Sequence, residues 1–172
     1  MGPVLVVVGG LPATGKSTVA AALARRIRAP YLRVDRIEHA VVSWTALTQP
    51  LGPVGYAVAH GLAADQLGLG LDVVVECVNP SAITRDAWVA TAEGARSAIA
   101  EVELVCSDPV EHRRRATTRR SDVDGLVKPT WSEIGARDHE PWERPHLVLD
   151  TATTVVETAV DRLTELVAQL RR

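Results

Sequence analysis

Residues Gly10 to Thr18 read Gly-Leu-Pro-Ala-Thr-Gly-Lys-Ser-Thr, a complete G-x-x-x-x-G-K-[ST] pattern. Such a loop works in one setting, between the end of a buried strand and the start of a helix. The apolar run Val4 to Val8 precedes it and the helix-like stretch Val19 to Ile27 follows. Its glycines let backbone N–H groups wrap a polyphosphate, and the helix N-terminus adds a favourable dipole. Gly10, Leu11, Pro12, Ala13, Thr14, Gly15, Lys16, Ser17 and Thr18 are therefore the expected nucleotide-binding residues. Lys16 is placed to reach the β- and γ-phosphates, and Ser17 to hold Mg²⁺. The pattern predicts a chain that binds a nucleoside triphosphate, with ATP and Mg²⁺ as the expected cofactors.

The rest of the chain reads as strands alternating with helices. Short apolar, β-branched runs predict strands at Val4–Val8, Tyr31–Val34, Asp72–Cys77, Val102–Cys106 and Leu147–Leu149. Helix starts are marked at Asp108-Pro109-Val110-Glu111, Thr130-Trp131-Ser132-Glu133 and Thr154-Val155-Val156-Glu157, each with the spacing of a capping box. Val156, Val160, Leu163, Val167 and Leu170 form the apolar stripe of a last helix that ends in Arg171-Arg172. Alternation of this kind predicts a three-layer α/β fold with right-handed crossovers. At 172 residues the chain is read as one domain, 1–172, with a polar, breaker-rich lid segment at about 120–136. Asp122-Val123-Asp124-Gly125 within it lacks the further ligands of a calcium loop and is read as a turn.

Composition narrows the function classes. A net charge of −2 gives no global pull toward nucleic acid or anionic membrane, and no apolar run has membrane-spanning length. Cys77 and Cys106 lack metal-ligand spacing and are read as reduced thiols of a cytoplasmic protein. The five histidines show no zinc spacing. Phe is absent, which suits an Ala/Val/Leu core. Among the larger aromatics, Trp44, Tyr56, Trp131 and Trp142 are candidate pocket walls, packing being the commoner role, and Trp88 is read as packing.

Three groups could carry chemistry. Asp35 stands just past the second strand, at the sheet edge that also carries the phosphate loop, where a carboxylate can take the proton of an attacking hydroxyl. It could also cap a helix beginning near Arg36, and one aspartate could do both. Glu76 ends the third strand and is the candidate second metal group beside Ser17; it is also the rival to Asp35 as base. In the run Arg113 to Arg120, Arg115 and Arg119 are four apart and are expected to share a helix face and grip phosphates or adenine.

With these residues placed, the chain resembles a family of small bacterial P-loop kinase-like proteins, often labelled AAA-family ATPase or adenylylsulfate-kinase-like. The resemblance is carried by the phosphate loop, Arg33-Val34-Asp35-Arg36-Ile37-Glu38, Gly55-Tyr56, Glu76-Cys77-Val78-Asn79-Pro80 with Thr84-Arg85 and Trp88, Cys106-Ser107-Asp108-Pro109, Pro129-Thr130-Trp131, Glu140-Pro141-Trp142 and Leu149-Asp150-Thr151. It implies a P-loop NTPase fold with a five-stranded parallel sheet in the kinase-type order 2-3-1-4-5, helices on both faces and a lid. It also implies an acceptor pocket at Asp35, Glu38, Tyr56, Asn79 and Arg85, with Asp35, Lys16, Arg115 and Arg119 as the catalytic set.

The base region is similar to that of chloramphenicol phosphotransferase. Polynucleotide 5′-kinases carry Asp-x-x-Arg there, and this chain has Glu38 in place of the arginine; shikimate-type kinases use Asp-x-Asp, which Arg33 breaks. The expected function is an ATP-dependent phosphotransferase acting on a hydroxyl of a small molecule, an antibiotic or a nucleoside-like compound among them. The alternatives are a polynucleotide 5′-hydroxyl kinase, against which Glu38 and the charge balance weigh, and an ATP-binding regulatory protein without an acceptor. An Asn/Thr-Lys-x-Asp guanine motif is missing after the fourth strand. Oligomerisation is left open.

Overall fold

The structure, a computed structural model, describes residues 2–120, 125 and 127–172. The Asp122–Asp124 part of the expected turn, and with it part of the first half of the expected lid, lies outside them. The elements run β1 (Val4–Gly9), α1 (Lys16–Ile27), β2 (Tyr31–Arg33), α2 (Val34–Trp44), α3 (Val54–Gly68), β3 (Val73–Glu76), α4 (Ala82–Gly94), β4 (Ala98–Val105), α5 (Pro109–Thr118), α6 (Trp131–Gly135), β5 (Leu147–Asp150) and α7 (Val156–Leu170). The strands form one five-stranded parallel sheet in the order β2-β3-β1-β4-β5, as expected.

Strand period two divides the interior. Val4, Val6 and Val8 of β1 face the core made with α1 and α7, while Leu5 and Val7 face the one made with α3 and α4. β1 is buried throughout because helices cover both of its faces. Val160, Leu163 and Val167 of the α7 stripe are buried against α1 and the sheet, with Val156 and Leu170 at the margins. Trp88 is fully buried and packs its ring 3.8 Å from His60 and 6.4 Å from Tyr56.

Four local expectations are corrected. β4 begins at Ala98, not Val102, because Glu101 interrupts the apolar run; its carboxylate meets Arg144 across the half-buried face. β2 ends at Arg33 and α2 starts at Val34, so Asp35 sits in the first turn of the helix and does not cap it. At α5, Asp108 caps the N–H groups of Val110 and Glu111, but the Glu111 carboxylate turns to Arg114 and Arg115 and does not close the box. At α7 the cap position is Val155 without a side-chain bond, because the N–H of Thr154 is already drawn onto the Asp150 carbonyl at 2.8 Å. The Thr130–Glu133 box forms as expected.

Candidate active site

The phosphate loop turns sharply after β1. Gly10 has φ 128°, and a Cβ there would lie 2.2 Å from the Leu104 carbonyl oxygen, so only glycine fits. Gly15, also left-handed at φ 93°, stands at the start of α1. Neighbouring elements hold the loop from outside. A ring nitrogen of His112 on α5 donates to the Pro12 carbonyl at 2.8 Å, and the Thr151 hydroxyl donates to the Thr14 carbonyl at 2.8 Å. Lys16 is buried, and its Nζ donates to the Leu11 carbonyl at 2.6 Å. Burial pulls its pKa down to about 8 against the opposing charge of Glu76.

Register places Glu76 at the meeting point of three strands, beside Val8 of β1 and Arg33 of β2. Its Oε1 accepts the Ser17 hydroxyl at 2.6 Å. Its Oε2 accepts the Tyr31 hydroxyl and faces Arg33 Nε at 3.3 Å. Arg33 Nη2 also donates to Asp35 Oδ2 at 3.1 Å, so one guanidinium bridges both candidate carboxylates. Asp35 Oδ1 is buried and has no hydrogen-bond partner among the described residues. Burial next to the Glu76 charge pushes the Tyr31 phenol pKa up.

Tyr31 and Arg33 were not singled out as site residues from sequence. Their signal was period two: residues i and i+2 of a strand share a face, here the face beside Glu76.

A cleft of about 1570 Å³ joins these groups. This exceeds the usual size of a single-ligand pocket, roughly 300–1,000 Å³. Lys16, Ser17, Glu76 and Asp35 all line it, as do Glu38, Tyr56, Arg115 and Arg119. Arg115 is oriented by Glu111 at 2.7 Å and donates to the Thr151 hydroxyl at 2.8 Å, which sets it at the loop rim. α5 ends at Thr118 with Arg119 as its C-cap, whose N–H still bonds the Arg115 carbonyl at 3.1 Å; the Arg119 side chain donates to the Pro129 carbonyl at 3.3 Å and feels the charges of Arg137 and Asp35. Burial and the Arg137 charge lower the Arg119 pKa.

Two expected acceptor residues are not brought to the cleft. Arg85 is buried beneath its wall, donating to the carbonyls of Asn79, Pro80, Glu140 and Pro141 and lying 4.3 Å from the Trp142 ring centre. Those carbonyls take up its donors, which makes it a clamp on the 140–141 segment. Asn79 is fully buried with φ 54° and its Cβ close under Gly9; its side-chain amide has no hydrogen-bond partner among the described residues, and its backbone N–H donates to the Tyr56 hydroxyl at 3.0 Å.

Of the candidate aromatic walls, Tyr56 lines the cleft. Trp44 faces solvent at 88% exposure. Trp131 meets His112 edge-on at 5.1 Å, and Trp142 stacks on His146 at 4.0 Å. Burial pushes the Cys77 thiol up to about 12, which suits an inert wall residue.

Fold and site together define a P-loop protein of kinase-like α/β architecture. The chain belongs to the AAA_33 family, described as an AAA domain, whose model matches residues 5–131. No curated protein matches it. Among solved structures it is similar to a protein of Chloroflexus aurantiacus with a provisional kinase assignment, at 21% identity and TM-score 0.77, covering 98% of this chain and 97% of that one. It is also similar to the APS kinase CysC of Mycobacterium tuberculosis in complex with AMPPNP and APS, at 17% identity and TM-score 0.71, covering 96% and 98%. A gluconokinase from Sinorhizobium meliloti 1021 follows at 23% identity and TM-score 0.65, covering 98% and 96%. At these identities the likeness is one of fold.

Proposed function

We propose that this chain is an ATP-dependent phosphotransferase that moves the γ-phosphate to a hydroxyl of a small molecule. The observation that carries this reading is the single cleft in which Lys16 and Ser17 face Asp35, one oxygen of which is held by Arg33 while the other has no described partner. Structural neighbours that are an APS kinase and a gluconokinase support it.

The residues present fit Mg²⁺. Ser17 Oγ and the Glu76 carboxylate meet at 2.6 Å and are hard oxygen donors. Mg²⁺ keeps several of its waters and leans on phosphate, so two protein oxygens are an adequate set for it. When bound, such an ion neutralises charge on the β- and γ-phosphate oxygens.

The protein's own residues do the rest. The backbone of residues 10–18 cradles the phosphates. Lys16 withdraws charge from the β–γ bridge, and Arg119 meets the charge on the transferring group. Arg115, fixed by Glu111 and Thr151, borders the nucleotide end. Asp35 orients the acceptor hydroxyl and takes its proton. The acceptor oxygen bonds to the γ-phosphorus, the bond from that phosphorus to the β–γ bridging oxygen breaks, and ADP leaves with the electron pair.

The test is ATP turnover with and without a panel of alcohols. Asp35→Asn is expected to lower acceptor-stimulated transfer by about 10²–10⁴-fold, with ATP affinity nearly unchanged. Transfer by Asp35→Asn at the wild-type rate would move the base assignment to Glu76.

A further inference from the structure

Glu38 lies one turn after Asp35 on α2 and lines the same cleft. α3 is shaped around it. A Cβ on Gly55 would come within 2.4 Å of Glu38 Cγ and 2.8 Å of its Oε1. Gly55 does not have a left-handed backbone, so its glycine serves space and not conformation. The fold thus keeps a notch for this side chain. No described residue hydrogen-bonds the Glu38 carboxylate, although it is half-buried. Its oxygens are not among the buried orphaned atoms, so they face water in the cleft. A carboxylate accommodated in a notch and left without an internal partner is open to a group entering the cleft.

The neighbouring charges decide what that group is. Asp35 and Glu38 stand together, and Arg137 and Arg119 stand close by, acting electrostatically on Glu38 and Asp35. The two carboxylates and two guanidiniums balance, so an ammonium drawn by one pair is repelled by the other, and so is a carboxylate or phosphate; neither gains a net attraction to offset its desolvation. Neighbouring neutral hydroxyls escape both penalties, since each donates to a carboxylate and accepts from a guanidinium. Tyr56, Val42 and Pro80 add apolar wall for a carbon skeleton.

We infer that the acceptor is a neutral, sugar-like polyol that presents two adjacent hydroxyls, one to Asp35 and the next to Glu38. This rests on the phosphotransferase reading. The hydroxyl at Asp35 forms the new O–P bond as ADP departs, and its proton passes to the Asp35 carboxylate and then to solvent. The hydroxyl at Glu38 stays intact and fixes which oxygen reacts.

The experiment compares D-ribose, D-glucose and myo-inositol with glucosamine and gluconate as charged counterparts. Readouts are ADP release, phosphorus NMR of the product, and calorimetric binding of each compound to the protein loaded with a non-hydrolysable ATP analogue. At least one neutral polyol should be phosphorylated, with kcat/KM at least about 10-fold above the charged counterparts. For that polyol, Glu38→Ala should raise KM and Kd by about 10- to 100-fold, the loss of a hydrogen bond to a charged group. Glu38→Gln still accepts through its amide oxygen and should stay within about 5-fold of wild type, whereas an ammonium acceptor would suffer equally from both variants.

Turnover of glucosamine or gluconate alone overturns the inference, as does equal damage by the two variants. So does a protein that binds ATP but neither binds nor phosphorylates any of the neutral polyols. Failure to bind ATP at all would instead bring down the phosphotransferase reading, and this inference with it.

Discussion

Lys16 must be charged to hold phosphate, yet it is buried before any phosphate arrives. Burial lowers its pKa from the ordinary lysine value to about 8, so the unfolded chain holds a proton that the folded one has released between about 8 and 10.5. Stability from this group therefore rises with pH across that window, while phosphate affinity falls. The free-protein Kd for ATP is expected to weaken by up to about tenfold per pH unit above about pH 8. Calorimetric titrations at about pH 7, 8 and 9 check this, and a flat profile would contradict it. Arg33 is the other decisive residue. Its guanidinium spans Asp35 and Glu76, so the two candidates for the base are one connected unit.

At the scale of elements, the paired ends of β2 and β3 and the contact of α2 with α3 shape the half of the cleft proposed for the acceptor. Gly55→Ala tests the second of these. The added methyl meets the flexible Glu38 side chain and no backbone, so the helix can stay intact while the carboxylate is displaced. Acceptor KM is expected to rise by about tenfold, with a stability loss of no more than about 1–2 kcal/mol on denaturant unfolding. An unchanged KM would show that the position of Glu38 is immaterial to acceptor binding.

The end of β3 at Glu76 and the place of Asp35 just past β2 were legible because apolar runs stop there. The spacing of Arg115 and Arg119 brings both to the same cleft, but Arg119 falls at the C-cap of α5, and only the structure shows its side chain on the Pro129 carbonyl. Asn79 and Arg85 belong to a contiguous motif, but their side chains are turned inward by burial that no local pattern records.

For the whole molecule, the nucleotide end of the cleft draws on β1, α1, α5 and the turn after β5, through the loop, His112, Arg115 and Thr151. A ligand that binds there only in the folded state stabilises all of them together. ATP at about 100 times its Kd should add about 2.7 kcal/mol and raise the melting temperature by roughly 5–10 °C. Lys16→Met should abolish the rise, and a scanning-fluorimetry shift that survives this change would place nucleotide binding elsewhere.

By itself the sequence determined the phosphate loop, the alternation of strands and helices, and the positions of Asp35 just past β2 and Glu76 at the end of β3. Each is written in contiguous residues whose backbone and hydrophobic demands are local. Only the tertiary structure decided that Tyr31 and Arg33 engage Glu76, that Gly55 makes room for Glu38, and that Arg85 clamps backbone and does not face the cleft. Those depend on register across the sheet and on which face of a helix is covered, and both are set by packing between segments far apart in the chain.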